Sequence, residues 1–297
     1  MSSPAGVLIR EMRLADIPAG LNLCRGSHWN QTEQDWLYFL KTAPRGALVA
    51  VRNGLVIGTV ATLPYGPFAW ISMVLVDAAA RHRGIGTLLL DQGLALVPEG
   101  IVSRLDATPA GEVLYRTRGF VAEYGLARLF LDGKQAGAAR AADARAAFAA
   151  TRRRDVRRLS SGDWPAIHRM DTREFGASRA SLLERLAREA PEYAWVVERY
   201  GRVQGYLLGR HGHVREHLGP LIAETLETAG LLLDVCLAAH PDRRIVLDVP
   251  DDQHHWRASL AQLGFAIERP FLRMSRGRLA ASGQPSRVYA ITGPEFG

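Results

Sequence analysis

The chain has 297 residues, of which 47% are hydrophobic and 23% are charged. This length is about twice that of a typical domain of roughly 100–150 residues and predicts two domains. The composition excludes collagen and long disorder, and no run approaches the roughly 18 apolar residues of a transmembrane helix. Residues 1–13 lack a signal-peptide pattern, and Cys24 and Cys236 are too few for a disulfide framework. We therefore expect a cytoplasmic protein without membrane contact.

The positive charge is concentrated near the middle of the chain. The net charge is +7, and residues 140–158 alone contain seven arginines against two aspartates. A protein that grips a phosphate backbone usually spreads its basic residues over a face, often with aromatic residues between them. Here the excess lies in one alanine- and arginine-rich stretch, which we interpret as a solvated helical linker. The charge therefore predicts no nucleic-acid partner.

The two halves of the chain repeat one order of elements. Each begins with a short alternating strand, followed by an aspartate, Asp16 or Asp163, that can cap a helix. A helical segment comes next, and then a strand, a tight turn and a second strand. In the first half this turn is Asn53-Gly54, a strong hairpin pattern because the turn needs positive φ. The repetition predicts a tandem duplication.

The repetition continues to the end of each half. Leu105–Pro109 is echoed by Leu247–Pro250, and Gly119-Phe120 is echoed by Gly264-Phe265. Each half therefore predicts the order β-α-β-β-β-α-β-α-β. This order gives an α/β (α+β) fold, in which a mixed, mostly antiparallel twisted sheet is flanked by helices.

The repeat also sets the predicted domain boundaries. We predict a first domain at residues 1–135, an Ala/Arg-rich linker at 136–154 and a second domain at 155–297. Val288–Ile291, near the end of the second half, is predicted either to add an edge strand or to reach the neighbouring domain.

In the first half, an apolar strand is followed by a glycine-containing loop and then by the start of a helix. The apolar strand ends at Val76, and the helix begins near Gly84. Backbone N–H groups at a helix start, beside the positive end of the helix dipole, bind anions such as a pyrophosphate. Gly84 and Gly86 let the backbone approach phosphate oxygens. The pattern is neither a Walker loop, which needs Gly-Lys-Ser/Thr, nor a dinucleotide fingerprint, which needs three glycines.

Two motifs of the first half carry a resemblance to a known family. The Arg-x-x-Gly-x-Gly pattern at residues 81–86 resembles motif A of the GNAT N-acetyltransferase superfamily. A later strand, and a helix with Tyr115 four residues before Gly119-Phe120, resemble motif B of the same superfamily. The resemblance covers roughly residues 8–132. The whole chain is similar to tandem two-domain bacterial GNAT proteins, whose C-terminal domain would be degenerate here.

The resemblance implies an activity and a cofactor. The protein would be an N-acetyltransferase that uses acetyl-CoA as cosubstrate and needs no metal. Its acceptor would be a primary amine on a small molecule or peptide, and it would act as a monomer or homodimer. Tyr115 lies where the family places its general acid, which would protonate the departing thiolate. The alternative is a packing tyrosine whose hydroxyl bonds a carbonyl group.

The resemblance also implies which residues bind acetyl-CoA. Backbone groups at the end of the strand would pair with the pantetheine arm and polarise the acetyl carbonyl, and N–H groups of the loop would hold the pyrophosphate. The implied residues are Val74, Leu75, Val76, Arg81, His82, Arg83, Gly84, Ile85, Gly86 and Thr87.

The acceptor side and the general base are less defined by the sequence. Trp29, Asn30 and Asp35 lie between the first two helices, where GNAT proteins build the acceptor wall. The alternative is that Thr32 caps a helix whose Trp36 enters the core. Asp35, Asp106 and Glu112 are all conceivable bases. Asp106 is the weaker candidate because Asp248 recurs at the matching place of the second half, which suggests a structural role.

The second half lacks both chemical elements. It has no Arg-x-x-Gly-x-Gly pattern, its strand-to-helix loop is short, and Glu224 and Glu227 place negative charge at the helix start. Leu260 stands where the first half has Tyr115. We expect a structural lid, an acceptor-side wall or an effector site. His213–His217 fits a His-x-x-Glu-His zinc pattern, but that pattern needs a helix and the nearby Gly219-Pro220 favours a turn.

Two other functions remain open alongside the transferase. One is a non-catalytic acyl-CoA sensor, which would have no need of the general acid Tyr115. The other is aminoacyl or peptidyl transfer to substrates bound to nucleic acid. It requires binding to RNA, either through the linker arginines Arg152–Arg154 or elsewhere on the surface.

Overall fold

The computed structural model describes residues 6–133, 154–277, 283 and 285–297. These residues form two compact units, of which the first contains the described residues up to Ala122 and the second begins at Glu123. The predicted linker, residues 136–154, lies outside the described residues except for Arg154.

The first unit is a five-stranded sheet with helices. Its elements, in chain order, are β1 (Val7–Glu11), α1 (Ile17–Gly26), α2 (Glu33–Thr42), β2 (Ala47–Arg52), β3 (Leu55–Pro64), β4 (Phe68–Val76), α3 (Ile85–Ala95), β5 (Val102–Ala107) and α4 (Pro109–Arg116). The strands follow the order β1-β2-β3-β4-β5, and every pair is antiparallel except β4 with β5. The hairpin predicted at Asn53-Gly54 joins β2 to β3, and both turn residues have positive φ.

The second unit repeats this arrangement. Its elements are β6 (Val121–Leu131), β7 (Val156–Arg158), α5 (Trp164–Phe175), α6 (Ala180–Glu189), β8 (Trp195–Arg199), β9 (Arg202–Arg210), β10 (Glu216–Ala223), α7 (Leu226–Ala239), β11 (Ile245–Pro250), α8 (His254–Gln262), β12 (Ala266–Arg276) and β13 (Val288–Ala290). The strand order is β12-β6-β11-β10-β9-β8-β7, and β13 pairs with β10. The predicted fold class, a mixed and mostly antiparallel sheet flanked by helices in each half, is confirmed.

A strand from the first half of the sequence completes the second unit. β6 pairs antiparallel with β11 from Leu126 to Leu131. The Arg128 guanidinium donates two hydrogen bonds of 2.7 Å to the Asp248 carboxylate, and both side chains are buried. Separating such a pair would leave an uncompensated buried charge, which typically costs about 3–5 kcal/mol. The compact units therefore differ from the predicted domains, residues 1–135 and 155–297, by this strand and by β12 from Met274 onward.

The same ion pair stabilises the start of both units. Arg10 binds both carboxylate oxygens of Asp16, and 147 positions later Arg157 binds both oxygens of Asp163. Each carboxylate also accepts a hydrogen bond from the backbone N–H three residues earlier. Hydrogen bonds from Arg157 lower the pKa of Asp163 to about 2. Asp16 and Asp163 stand at the predicted N-cap positions of α1 and α5, but neither side chain makes a cap hydrogen bond to the helix, because both carboxylates are held by the arginines.

Each sheet is covered by large apolar side chains. Trp36 and Trp70 in the first unit, and Trp256 in the second, are fully buried, which confirms the core position predicted for Trp36. Cys24 and Cys236 are buried free thiols. In the described part of the chain, no helix combines the length and the apolar character needed to cross a membrane.

Candidate active site

Two parallel strands of the first unit separate along their length. β4 pairs with β5 only from Phe68 to Trp70, opposite Val102 to Arg104. Beyond Trp70, no further pairing with β5 is present among the described residues, although β4 continues to Val76. Beyond Trp70, the edge of β4 that faces β5 therefore lines a cleft inside the sheet. An extended chain could enter this cleft and pair with β4.

The strand also carries a bulge beside this cleft. Ser72 pairs with Ala61 and Leu75 pairs with Thr59, so two residues of β4 stand opposite Val60 alone. One of the two, Met73, has a φ of 54°, which is rare for a residue other than glycine. An extra residue of this kind interrupts the ladder and redirects backbone groups, and such bulges are common next to active sites.

The loop from β4 to α3 is exposed and shaped by its own side chains. The Asp77 carboxylate accepts a hydrogen bond of 2.9 Å from the Ala79 N–H, and Arg81 Nε donates one of 3.0 Å to the Val76 carbonyl. His82 and Gly84 both have positive φ, at 60° and 77°. Alternation of left- and right-handed residues turns successive N–H groups toward one side, which is a concave anion site.

The start of α3 leaves its backbone donors accessible. Its N-cap is Gly84, and no side chain among the described residues caps it. The first N–H groups of a helix have no intrahelical acceptor, so those of Ile85, Gly86 and Thr87 can bind an anion. A Cβ at Gly86 would lie 3.5 Å from Val76 and 3.7 Å from Leu114, which is ordinary contact. The fold itself therefore leaves room for a larger residue at this position.

Tyr115 lies on α4, which packs beside the start of α3 through Leu114. A Cβ at Gly111 would lie 2.9 Å from the Tyr115 ring, so this glycine is needed for the ring to lie back along the helix. The Tyr115 ring also contacts the Phe120 ring, with a centroid separation of 5.9 Å. Burial raises the pKa of the Tyr115 hydroxyl above its ordinary value, which keeps the hydroxyl protonated throughout the physiological range.

Of the predicted acceptor residues, Trp29 and Asn30 lie on the connection between α1 and α2, and Asp35 lies in the first turn of α2. Trp29 is half-buried, and Asn30 is buried. The Asp35 carboxylate accepts hydrogen bonds of 2.8 Å and 3.2 Å from the backbone N–H and the hydroxyl of Thr32. This is a capping box, and it supports the alternative in which Thr32 caps α2, with the Asp35 carboxylate as its partner in the cap. Leu114, the chain neighbour of Tyr115, lies near Gly86 at the start of α3, and Trp29, Asn30 and Asp35 lie on a separate segment.

Replacing Asp35 with alanine separates these two roles. A capping role predicts that the free energy of unfolding falls by about 1 kcal/mol, because the start of α2 loses its acceptor. The pH dependence of kcat should stay unchanged, and thermal unfolding together with a pH–rate profile measures both. Glu33→Ala, on the exposed first turn of the same helix, is the control. Loss of the acidic limb of the profile in Asp35→Ala alone would instead identify Asp35 as the base.

The other two candidate bases differ in surroundings. Glu112 forms an exposed ion pair of 2.8 Å with Arg116, one helical turn away. Asp106 lies partly buried on β5. Its counterpart Asp248 is fully buried, and although burial disfavours its charge, the Arg128 guanidinium lowers its pKa overall. The structural role suggested for Asp248 is therefore present in the structure.

The corresponding cleft of the second unit is filled by the chain itself. β10 pairs with β11 only at Glu216 and His217, as in the first unit. Here β13 enters between the two strands: Ala290 pairs with Leu221 of β10, and the Ile291 N–H donates to the carbonyl of Asp248 on β11. The expectation of an edge strand at Val288–Ile291 is therefore wrong, since the segment is bonded on both sides.

Other features of the second cleft are also consistent with its being filled by β13. Only residues 224 and 225 connect β10 to α7, and the Thr225 hydroxyl caps the helix by accepting from the Thr228 N–H. The Glu224 carboxylate is held by Arg173 and Arg287. A Cβ at Gly219 would lie 2.0 Å from the Ile291 carbonyl oxygen, so glycine is required where the inserted segment crosses β10. The start of α7 is thus capped, whereas the start of α3 in the first unit is not.

No metal site emerges from the part of the chain that the structure describes. No group of three or more His, Cys, Asp or Glu side chains in it could hold a metal ion. The zinc-like pattern His213–His217 spans a bend and the beginning of β10, and Gly219-Pro220 lies within that strand and not in a turn. His217 is fully buried near Asp248, and burial lowers its pKa to about 4.

Comparison with known proteins defines the class. The acetyltransferase (GNAT) family model matches residues 14–120, and an acetyltransferase (GNAT) domain model matches residues 167–290. The chain therefore belongs to the GNAT family of acetyltransferases and carries two GNAT domains in tandem. The predicted family and enzyme class are confirmed.

Individual relatives are distant in sequence but extend over most of the chain. The uncharacterized N-acetyltransferase YitH of Bacillus subtilis is 24% identical over 249 residues, 82% of this chain and 83% of that protein. The holothin acyltransferase of a Pseudoalteromonas species is 24% identical over 272 residues, 91% of this chain and 87% of that protein.

Solved structures share the fold across both units. A putative acetyltransferase from Pyrococcus horikoshii has a TM-score of 0.80 at 21% identity, covering 100% of this chain and 98% of the other. A tandem GNAT protein from the clavulanic acid biosynthesis pathway has a TM-score of 0.64 at 16% identity, covering 93% and 100%.

Proposed function

We propose that the first unit binds acetyl-CoA and transfers its acetyl group directly to a primary amine. One observation carries this proposal: the part of β4 that has left β5 leads, through an exposed loop, to the uncapped start of α3. The pantetheine arm would pair with the backbone of Val74, Leu75 and Val76. The pyrophosphate would accept hydrogen bonds from the N–H groups of residues 82–87, and the exposed Arg81 and Arg83 add positive charge beside them.

The reaction follows from this placement. The amine nitrogen attacks the thioester carbonyl carbon, a C–N bond forms, and the C–S bond breaks to release the thiolate of coenzyme A. Negative charge develops on the carbonyl oxygen, and a backbone N–H at the bulge of β4 would stabilise it. Removing one donor of this kind typically costs about 2.7–4 kcal/mol of barrier.

Tyr115 would donate a proton to the departing sulfur. Its buried hydroxyl stays protonated, so it can act as a donor at any working pH. Because a free thiol has a pKa near 8.5, the thiolate is a tolerable leaving group near neutral pH, and proton donation assists without being indispensable. The proton lost by the amine would leave through water or through one of the carboxylates considered above, so no single base is assigned.

The second unit would not bind acyl-CoA and would instead have a structural or acceptor-side role. Its cleft holds β13, and its helix start is capped by Thr225. The acceptor is proposed to be a small-molecule or peptide amine, and Trp29 and Asn30 are proposed to line its path. One relative is named as an acyltransferase acting on holothin and not as an acetyltransferase, so longer acyl chains belong in any donor panel.

A screen of amines with detection of released thiol tests the proposal. The panel should contain polyamines, aminoglycoside-like amines and peptide N-termini, each with acetyl-CoA and with longer acyl-CoA donors. We expect thiol release that depends on one amine class and yields the acylated amine by mass spectrometry. Tight acetyl-CoA binding without turnover for any amine would favour a non-catalytic sensor. Turnover only with substrates bound to RNA would favour transfer to nucleic-acid-bound acceptors.

A further inference from the structure

A buried hydroxyl holds the bulge of β4 in place. Thr59 of β3 donates a hydrogen bond of 2.7 Å from its Oγ1 to the Met73 carbonyl oxygen. Both residues are buried, with 0% and 1% of their surfaces exposed. Met73 is the residue with positive φ, a conformation that persists only where surrounding contacts enforce it. The Thr59 hydroxyl is such a contact.

The direction of one backbone donor follows from this bond. The Met73 carbonyl and the Val74 N–H belong to the same planar trans peptide group, so they point in opposite directions. Because the carbonyl points at the Thr59 hydroxyl on β3, the Val74 N–H points away from it. The opposite neighbour of β4 is β5, which has already separated at this level. Val74 is also half-buried, between the buried Met73 and Leu75.

We propose that Thr59 is a positioning residue that aims the Val74 N–H at the carbonyl oxygen of the bound acyl group. This rests on the proposed function of the first unit, and it adds a residue that touches neither substrate nor cofactor. Rotation of the Met73–Val74 peptide would carry both of its dipoles with it. Losing the hydroxyl should therefore weaken carbonyl polarisation and leave the binding of the rest of the cofactor intact.

The test uses the whole protein with acetyl-CoA labelled with ¹³C at the acetyl carbonyl. In the wild type, the carbonyl resonance should move downfield on binding. In Thr59→Val the carbonyl resonance should return toward its position in free acetyl-CoA. The dissociation constant for acetyl-CoA should stay within about threefold of the wild-type value, and kcat with the best amine should fall about 10- to 100-fold. Thr59→Ser keeps the hydroxyl and should retain the bound resonance and most of kcat.

A second threonine of the same strand is the matched control. Thr62 is also buried, and its Oγ1 donates to the Gly93 carbonyl, near the far end of α3. Thr62→Val should lower thermal stability as Thr59→Val does, without moving the carbonyl resonance. An unchanged resonance in Thr59→Val, or a lost one in Thr59→Ser, would overturn the role of Thr59 while the transferase stands. Absence of acetyl-CoA binding by the wild type would overturn the proposed function and this inference together.

Discussion

Substitution of valine for Gly84 is expected to weaken acetyl-CoA binding by at least about 100-fold, equivalent to about 2.8 kcal/mol. Gly84 has a φ of 77° and forms the N-cap of α3. A β-branched residue is strained there by about 1–3 kcal/mol, and the loop can relieve this strain only by turning its backbone. The N–H groups that would hold the pyrophosphate then lose their common direction. Titration calorimetry with acetyl-CoA measures the change.

Gly54 provides the control for backbone strain alone. It has a φ of 79° in the β2–β3 hairpin, and a Cβ there would meet no atom within 4 Å. Gly54→Val should therefore lose a comparable free energy of unfolding and bind acetyl-CoA as the wild type does. Equal weakening of binding in both variants would show that the loop at Gly84 has no specific part in the site.

The second large effect concerns Tyr115. Tyr115→Phe is expected to lower kcat about 100-fold, at the lower end of the usual contribution of a general acid, because the thiolate is already a fair leaving group. The KM for acetyl-CoA should change little, since the ring and its contact with Phe120 remain. Steady-state kinetics with thiol detection separates the two constants.

The pH profile sharpens this prediction. Burial raises the pKa of Tyr115, so its hydroxyl remains protonated as the pH rises through the value of an ordinary tyrosine near 10. The wild type should therefore show no loss of kcat from tyrosine ionisation between about pH 8 and 10. Tyr193→Phe is the matched control, because its buried hydroxyl has no hydrogen-bond partner among the described residues. A kcat unchanged in Tyr115→Phe would reduce Tyr115 to a packing residue.

The order of elements could be predicted from the sequence because it depends on local patterns. The Asn53-Gly54 turn, the strand-like alternation around it and the spacing of the two halves each constrain a short segment. The elements of the proposed anion site were predictable for the same reason, because the strand, the exposed loop with Gly84 and the helix start are contiguous in the chain.

Long-range pairing could not be predicted in this way. β6 has the same apolar character whichever sheet it completes, and its place is decided by the contact of Arg128 with Asp248, 120 positions later. The insertion of β13 depends on Gly219 of β10, where only the folded structure shows how close Ile291 comes. Which strands pair depends on how the folded sheet aligns them, and the local sequence of one strand does not determine it.

The details of the site were missed for a related reason. A bulge is an extra residue relative to a partner strand, so the bulge at Met73 is invisible until β3 and β4 are aligned. Only then is it visible that, of the two buried threonines of β3, Thr59 is the one that bonds the bulge. Gly111 could have been found earlier, since it lies four residues before Tyr115 on the same face of α4.

The number of acetyl-CoA molecules bound per chain tests the central claim most directly. The claim is that the first unit holds the acyl-CoA site and that β13 occupies the equivalent cleft of the second. Equilibrium dialysis with radiolabelled acetyl-CoA should give one molecule per chain for the wild type and for Gly54→Val, and none at the same concentration for Gly84→Val. Two molecules per chain would place acetyl-CoA in the second unit as well, and one molecule that survives Gly84→Val would show that the loop at Gly84 does not hold it. Either result would contradict the account.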